Sequence, residues 1–264
     1  MDERTIDDEV AQALAERLIR ATATRTAVAP LTAERPRLTA ADGYAIQRRV
    51  VSYRTAAGEV IVGWKLGLTS KAMQTQLGVG SPDYGPILSG SRVSPGGMLR
   101  AAEFIAPRVE AEIAVVLGQP LSGAVTRDMV LEATIGVCAA IEVIDSRITD
   151  WQITLADTIA DLASSAKVVL SDVVIPIDGF EPRLIGCLFE RDGEVLATGA
   201  GGAALGDPLA AVAWASETLG QLGLTMEAGA VIMTGALHAS VPARAGDTFT
   251  ARFDRLGDLS VRFA

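Results

Sequence analysis

Three glutamates stand in apolar surroundings, where a charged side chain is ordinarily unfavourable. Glu110 and Glu112 lie in the apolar segment 107–117, and because side chains alternate along a strand, both face the same way. Glu142 lies within Ala-Ala-Ile-Glu-Val-Ile. Burying like charges together is unfavourable unless a cation or protons compensate them, and carboxylate oxygens suit Mg²⁺ or Mn²⁺. The pattern alone is equally compatible with a solvated edge strand, with Glu142 paired to an arginine.

Lys65 and Asp83 are the other candidates for chemistry. Lys65 lies between apolar residues on a predicted strand, where a depressed pKa would suit general acid/base work. A lysine that snorkels to the edge of a strand is the simpler alternative. Asp83 lies in Pro-Asp-Tyr-Gly, which is by default a turn.

The remaining polar residues favour structural roles. His238 is the only histidine, so neither a histidine-rich metal site nor a Ser/His/Asp arrangement can form, and we interpret it as a hydrogen-bonded loop residue. The segment 199–202 lacks the spacing of a dinucleotide-binding loop. We interpret four further aspartates as helix caps or surface charges: Asp145, Asp150, Asp157 and Asp161.

The elements that must position these residues change in character along the chain. Apolar residues recur at one helical turn over residues 6–18, and Thr39 with Asp42 predicts a capping box that opens a second helix. Helices cluster early and strands dominate later, which predicts an α+β fold with a mixed, largely antiparallel sheet. We expect an N-terminal helical region, 1–59, and a catalytic domain, 60–264. The predicted strands are 60–68, 105–117, 139–144, 184–190 and 194–198, and Arg191-Asp192-Gly193 predicts a hairpin turn between the last two. The predicted helices of this domain are 70–77, 126–138 and 208–220.

Composition excludes several classes of function. The chain has 264 residues, 49% of them hydrophobic, and a formal net charge of −9, which argues against a nucleic-acid surface. It contains no run of about 18 uncharged apolar residues, so no membrane span is expected. The acidic first ten residues do not form a secretory signal. Cys138 and Cys187 lie in apolar surroundings and are interpreted as buried packing residues of a cytoplasmic protein.

The chain resembles the 2-keto-4-pentenoate hydratase family, within the wider fumarylacetoacetate hydrolase superfamily, over nearly its whole length. The resemblance implies that superfamily's sheet core, with Glu110, Glu112 and Glu142 as magnesium or manganese ligands. It also implies Lys65 and Asp83 at the reacting end of the substrate, and Leu66, Thr234 and Gly235 in substrate binding. The segments that carry it, in order, are GWKLGLTSKAMQTQLGV, SPDYG, PRVEAEIAVVL, AIEVIDSRITDW, DTIADLAS, GDPLAAVAWA and VIMTGAL.

By this resemblance the expected reaction is addition of water to a 2-hydroxy-2,4-dienoate, giving a 4-hydroxy-2-oxo acid in aromatic-compound catabolism. The sister branch of 4-oxalocrotonate decarboxylases is the alternative. That branch typically carries an apolar residue where this chain has Asp83, and Phe where it has Trp151, so both positions favour hydratase. The resemblance also implies a homo-oligomer and leaves open an association with a downstream aldolase or an upstream pathway enzyme.

Two positions depart from the family pattern. Leu162 stands where an Asn usually follows Ala-Asp. Asp207 replaces the His that commonly precedes the proline found here at position 208. Asp207 still suits a helix cap. The loss of an amide at Leu162 could alter the choice of substrate, and it leaves a third hypothesis open: a catalytically weak metal-binding partner of another enzyme.

Overall fold

The structure is a computed structural model that describes residues 3–70, 74 and 80–264. Of the helix predicted at 70–77, only residues 70 and 74 fall within these ranges, so that prediction lies outside the described residues. Within them, no helix is long and apolar enough to cross a membrane.

The N-terminal region is helical, as predicted. It forms α1 (Asp8–Thr24), the short α2 (Leu31–Glu34) and α3 (Ala40–Ala56). Thr39 and Asp42 form the expected capping box at the start of α3. The buried faces of α1 and α3 share an apolar cluster that also takes in Ala160 and Leu162 from the second half of the chain. The predicted boundary at residue 60 therefore falls between α3 and the first strand, but the packing crosses it.

The rest of the chain forms two sheets. The strands of the larger sheet are β1 (Ile61–Gly67), β2 (Asp83–Leu88), β3 (Arg92–Val93), β5 (Arg108–Leu117), β6 (Thr134–Ile144), β7 (Ser165–Leu170), β10 (Val231–Ala236) and β11 (Val241–Pro242). Those of the smaller sheet are β4 (Met98–Leu99), β8 (Gly186–Arg191), β9 (Glu194–Ala200), β12 (Thr248–Phe253) and β13 (Gly257–Phe263). Three helices complete the described elements: α4 (Arg127–Ala133), α5 (Leu155–Ala160) and α6 (Pro208–Gly220).

The order of the larger sheet is β2-β1-β10-β5-β6-β7-β3, with β11 paired to β5, and that of the smaller sheet is β4-β13-β12-β8-β9. Among the described strands, three pairs are parallel (β1 with β10, β3 with β7 and β4 with β13), and the other pairs are antiparallel. This confirms the predicted α+β class with a mixed, largely antiparallel sheet.

The helix predicted at 126–138 is wrong in its second half. Helix α4 ends at Ala133, and β6 begins directly at Thr134. The β-branched residues Thr134, Ile135 and Val137 favour a strand, and at Gly136 a Cβ would lie 2.4 Å from the carbonyl oxygen of Ile175. The 208–220 helix and the turn at Asp192-Gly193 are confirmed.

The two faces of the larger sheet bury different clusters. Alternate residues of β5 and β6, such as Ile113 and Ile141, face the smaller sheet and α6 in the main core. The opposite face buries a small cluster that includes Ala114, Cys138 and Met233. Because side chains alternate along a strand, Glu110 and Glu112 share the face of Ala114. The candidate site therefore lies beyond the end of this second cluster. Both cysteines are buried, as predicted.

Candidate metal centre and active site

Neighbouring strands bring the three glutamates together. In the antiparallel pair β5 and β6, Glu110 is directly opposite Glu142, and Glu112 is two residues further along β5. One carboxylate oxygen from each of the three residues lies within 4.8 Å of the others. Glu112 and Glu142 are buried and Glu110 is partly exposed. The solvated edge strand considered from the sequence is therefore not what the structure shows.

Lys65 and Asp83 lie on the same face of the sheet as the glutamates. Lys65 is paired with Gly85 and Gly67 with Asp83 in the antiparallel ladder of β1 and β2, so Lys65 and Asp83 are diagonal neighbours. The Nζ of Lys65 lies 3.2 Å from Oε2 of Glu142 and donates a hydrogen bond to the carbonyl oxygen of Ala163, at 3.0 Å. Asp83 and Lys65 are both almost fully buried.

The absence of a side chain at Gly67 makes room for Asp83. A Cβ at Gly67 would lie only 2.1 Å from Oδ1 of Asp83. Within the described residues this oxygen has no hydrogen-bond partner. Asp83 is the first residue of the edge strand β2. It therefore offers a buried carboxylate oxygen that is free to accept a proton or a hydrogen bond.

Burial and neighbouring charges raise the pKa of three carboxyl groups in the cluster, those of Asp83, Glu110 and Glu112. Burial first, and then the neighbouring Glu142 charge, raise the pKa of Glu110 to about 7, and the same two causes raise the pKa of Glu112. Burial also raises the pKa of Asp83, with Lys65 opposing the shift. These carboxyl groups bind protons more readily than free ones because several negative charges share a water-poor space.

The depressed pKa considered for Lys65 is wrong for the metal-free chain. Burial acts to lower the pKa of the ammonium group, but the surrounding carboxylates, with Glu142 foremost, outweigh burial and raise its pKa. Lys65 is therefore held as a charged donor. The snorkelling alternative also fails, because the side chain is 5% exposed.

The donor set fits a hard divalent cation. Four carboxylates surround one ammonium group, so a fully ionised cluster carries three uncompensated negative charges, which burial makes unfavourable. Neither oxygen of Glu142 has a hydrogen-bond partner in the described part of the chain. Magnesium and manganese prefer oxygen ligands of this kind.

The C-terminal end of β10 supports Glu112. The backbone N–H of Gly235 donates to Oε2 of Glu112 at 2.9 Å, and Oγ1 of Thr234 donates to the carbonyl oxygen of Ile113 at 2.8 Å. Gly235 has a φ of +112°, and a Cβ there would lie 1.9 Å from Oγ1 of Thr69. Gly235 therefore contacts the carboxylate cluster directly and Thr234 is its neighbour in the chain. Their role in substrate binding stays a prediction.

The side chain of Leu66 points away from the carboxylate cluster. Its side chain is fully buried in the main core, on the face of β1 opposite to Lys65. Any contact of Leu66 with a substrate would therefore involve its backbone.

His238 is hydrogen-bonded at both ring nitrogens, as expected. Its Nε2 accepts from the N–H of Ala111, between the two glutamates of β5, and its Nδ1 bonds to the carbonyl oxygen of Ala239. Burial, the larger cause, lowers the pKa of His238. Strand β5 pairs with β10 up to Glu112 and with β11 from Val109. Between these two stretches, the neutral His238 ring takes the place of a backbone partner for Ala111.

The four aspartates divide evenly between the predicted and other roles. Asp157 completes the capping box of α5, whose N-cap is Thr154, and Asp150 is exposed, so both have the predicted kind of role. Asp145 and Asp161 are buried instead: Asp145 accepts from the N–H groups of Ile105 and Ala106, and Asp161 forms an ion pair with Arg147. Partners so distant along the chain leave no local sequence signal.

The two departures from the family pattern lie outside the carboxylate cluster. Asp207 caps α6 through the N–H of Leu209, and its second oxygen accepts from Nε of Arg127 at 2.6 Å. The Leu162 side chain packs in the cluster of α1 and α3. Leu162 also lines a cavity of about 350 Å³ between those helices and the sheet.

The chain is similar to several known proteins. Residues 87–264 match the fumarylacetoacetate (FAA) hydrolase C-terminal family. A 2-keto-4-pentenoate hydratase of Paraburkholderia phymatum is 40% identical over 98% of this chain and 99% of its own length. A 2-hydroxyhexa-2,4-dienoate hydratase of Comamonas testosteroni is 37% identical over 97% and 98%. The 4-oxalocrotonate decarboxylase of Pseudomonas putida G7, complexed with magnesium and adipate, superimposes with a TM-score of 0.96 at 36% identity, over 99% of this chain and 100% of that one.

Proposed function

This chain belongs to the fumarylacetoacetate hydrolase family, and from that premise we propose that it is a metal-dependent hydratase that adds water to a 2-hydroxy-2,4-dienoate. The product is a 4-hydroxy-2-oxo acid. Relatives named as hydratases match nearly the whole chain at about 40% identity. The single observation that carries the proposal is the buried carboxylate of Asp83, which has a free oxygen and lies beside Lys65 on the face of the three glutamates.

Glu110, Glu112 and Glu142 would hold one magnesium or manganese ion. Two observations support this assignment: the oxygens approach to within 4.8 Å, and those of Glu142 have no hydrogen-bond partner among the described residues, although Oε2 forms an ion pair with Lys65. When bound, the ion supplies Lewis-acid stabilisation of the negative charge that develops on the substrate's 2-oxygen.

The reaction needs two proton transfers to carbon and one from water. The 2-hydroxyl group loses its proton as the distal carbon C5 gains one, and the hydroxyl group of water then adds to C4 while C3 gains a proton. Asp83, with a free oxygen, is suited to take a proton from water, and Lys65, held as a charged hydrogen-bond donor, is suited to stabilise the negative charge that this transfer creates. We assign Thr234 and Gly235 to the end of the site that would receive the substrate carboxylate.

The decarboxylase alternative is supported by the TM-score of 0.96 to a 4-oxalocrotonate decarboxylase. The backbone therefore does not separate the two reactions, and side chains must do so. The negative charge of Asp83 would repel the distal carboxylate of an oxalocrotonate. Lys65 would compensate this repulsion poorly, because its ammonium group is already paired with Glu142. The third hypothesis, a catalytically weak partner protein, depended on Leu162, whose side chain packs among the N-terminal helices.

A substrate assay tests the proposal. The magnesium-loaded protein is given freshly generated 2-hydroxypenta-2,4-dienoate, and loss of the diene absorbance is followed while NMR identifies the product. We expect 4-hydroxy-2-oxopentanoate. Release of carbon dioxide from an oxalocrotonate, with the dienoate untouched, would establish the decarboxylase instead.

We further propose that the protein is a cytoplasmic homo-oligomer. Large apolar side chains that are more than half exposed, including Met98 and Leu184, would lose part of this exposure in a subunit contact. Light scattering that gives the mass of a single chain would refute the oligomer. Association with an aldolase or an upstream pathway enzyme is a separate proposal, and co-purification from a strain that expresses both proteins tests it.

A further inference from the structure

The Lys65 ammonium group is held by a turn whose backbone is strained. Ala163, whose carbonyl oxygen accepts the hydrogen bond from Lys65, lies in the centre of a turn formed by Leu162, Ala163 and Ser164. Their φ values are +58°, +50° and +57°, so three successive residues other than glycine adopt the left-handed conformation. Each is unfavourable for an L-residue. Such a turn persists only if its surroundings impose it.

Arg147 spans both ends of this left-handed turn. Its Nη2 donates to the carbonyl oxygen of Asp161 at 2.5 Å, and its Nη1 donates to that of Ser165 at 3.4 Å. The side chain of Asp161 accepts from the backbone N–H of Arg147 at 3.0 Å and from its Nε. One guanidinium group therefore fixes the residue before the turn and the residue after it.

Other contacts fix the two residues that flank Ala163 in the turn. The N–H of Asp145 donates to the carbonyl oxygen of Ser164 at 2.9 Å. The carbonyl oxygen of Leu162 lies so close to Gly85 of β2 that a Cβ there would approach it to 2.5 Å. With its ends held by Arg147, the turn has little freedom to move Ala163 away from Lys65.

An ion pair as buried as that of Arg147 and Asp161, whose side chains are 6% and 2% exposed, is seldom justified by stability alone. The cost of removing both charges from water offsets most of their attraction, and an apolar pair of similar volume often stabilises as well. Arg147, with five donors in a rigid fork, is suited to fix several acceptors at once.

We propose that Arg147 and Asp161 are positioning residues for the reaction: they hold the left-handed turn so that the Ala163 carbonyl fixes the Lys65 ammonium group in its place beside Glu142. This inference rests on the proposed function for its kinetic consequence, but its structural consequence at Lys65 can be measured without substrate.

The test compares wild type with Asp161→Asn, which keeps the volume of the side chain but removes its charge and one acceptor. The chain has only three lysines, at positions 65, 71 and 167, so ¹⁵N NMR of their side-chain ammonium groups gives at most three signals, assigned with Lys65→Met. We expect the Lys65 signal to shift or to broaden by solvent exchange in Asp161→Asn. We also expect kcat to fall by about 10- to 100-fold with KM little changed, because a small misplacement of a catalytic group is costly.

Arg127→Gln is the matched control. Arg127 also joins two carboxylates, those of Asp207 and Glu181, but it does not contact the turn. It should lose thermal stability while leaving the Lys65 signal and kcat as in wild type. If Asp161→Asn does not fold, Arg147→Lys is assayed in the same way for kcat and KM, since a single ammonium group cannot reach all the acceptors of the guanidinium.

A double-mutant cycle separates positioning from general damage. If Asp161 acts through Lys65, Asp161→Asn should cause no further loss of kcat in a Lys65→Met background. An equal fold-loss in both backgrounds, or an unchanged Lys65 signal together with an unchanged kcat, overturns the inference. A wild-type protein that does not hydrate the dienoate defeats the proposed function instead, while the NMR comparison still decides the role of the ion pair.

Discussion

The Nζ of Lys65 lies 3.2 Å from Oε2 of Glu142, although β10 and β5 separate their strands in the sheet. Neighbouring strands are about 4.8 Å apart, so in a flat sheet β1 and β6 would be roughly 14 Å apart. The contact therefore requires a sheet that curls around the site. This curvature brings a lysine and an aspartate from one side of the sheet to face three glutamates from the other.

The first prediction concerns the metal ligands. Glu112→Ala should lower magnesium affinity by at least about 10-fold, because it removes one of three charged oxygen ligands. Calorimetric titration of the metal-free protein measures the affinity. Glu132→Ala, at an exposed glutamate of α4, is the control and should bind as wild type. Equal affinity in Glu112→Ala and wild type would remove Glu112 from the site.

The second prediction concerns pH. Since the pKa of Glu110 is raised to about 7, a metal ion must displace a proton below that pH. Magnesium affinity should therefore fall as pH drops from 8 to 6, and titrations in buffers of different ionisation enthalpy should show proton release on binding. An affinity independent of pH over this range would contradict the shift.

The raised pKa of Glu110 also affects the stability of the metal-free protein, which should fall as pH rises, whereas magnesium affinity should increase. A carboxyl group whose folded pKa is raised binds more protons in the folded state than in the unfolded state, so stability falls as pH rises from about 4.5 to about 7. Urea unfolding at several pH values in a chelator should show this loss. Magnesium should reverse it at pH 8, because binding to the folded state alone stabilises that state.

The third prediction concerns Gly235. Replacement by Ala imposes a strained φ, which costs on the order of 1–3 kcal/mol, and places a Cβ 1.9 Å from Oγ1 of Thr69. The free energy of unfolding should fall by more than the strain alone, and magnesium should bind less tightly because the N–H of Gly235 supports Glu112. Gly246→Ala is matched for strain, with a φ of +96° and open space around the Cβ. It should lose only the strain energy and keep wild-type magnesium affinity.

The fourth prediction concerns Asp207. Asp207→Ala removes a helix cap and the partner of Arg127, and we expect it to destabilise the protein by about 1–2 kcal/mol. Thermal unfolding measures this loss. The kcat should stay near that of wild type, because Asp207 contacts none of the carboxylate cluster among the described residues. A large loss of kcat at unchanged stability would show instead that this position acts in the reaction.

Local patterns predicted most of the elements and picked out the three glutamates as candidate ligands, but they did not predict how these residues meet. The alternation of Glu110 and Glu112 and the Asp192-Gly193 turn follow from two-residue periodicity and turn chemistry, which act over a few residues. The three left-handed residues at 162–164 could not be predicted, because none is a glycine and distant partners impose their conformation. The pairing of Lys65 with Glu142 depends on curvature, a property of the whole sheet.

The assignment of Lys65 to a depressed pKa failed for the same reason. An apolar sequence neighbourhood predicts burial, and burial alone would lower the pKa of an ammonium group. The four carboxylates that reverse the shift come from three other strands, and no local window contains them.

The central claim is that Asp83 makes this protein a hydratase, and one paired measurement tests it. The magnesium-loaded wild type and Asp83→Asn are each given 2-hydroxypenta-2,4-dienoate and an oxalocrotonate, and kcat/KM is determined for both substrates. We predict that wild type hydrates the dienoate in strong preference, and that Asp83→Asn loses about 100-fold or more of this activity while its magnesium affinity is retained. Full hydratase activity in Asp83→Asn, or decarboxylation as the preferred reaction of wild type, would contradict the account.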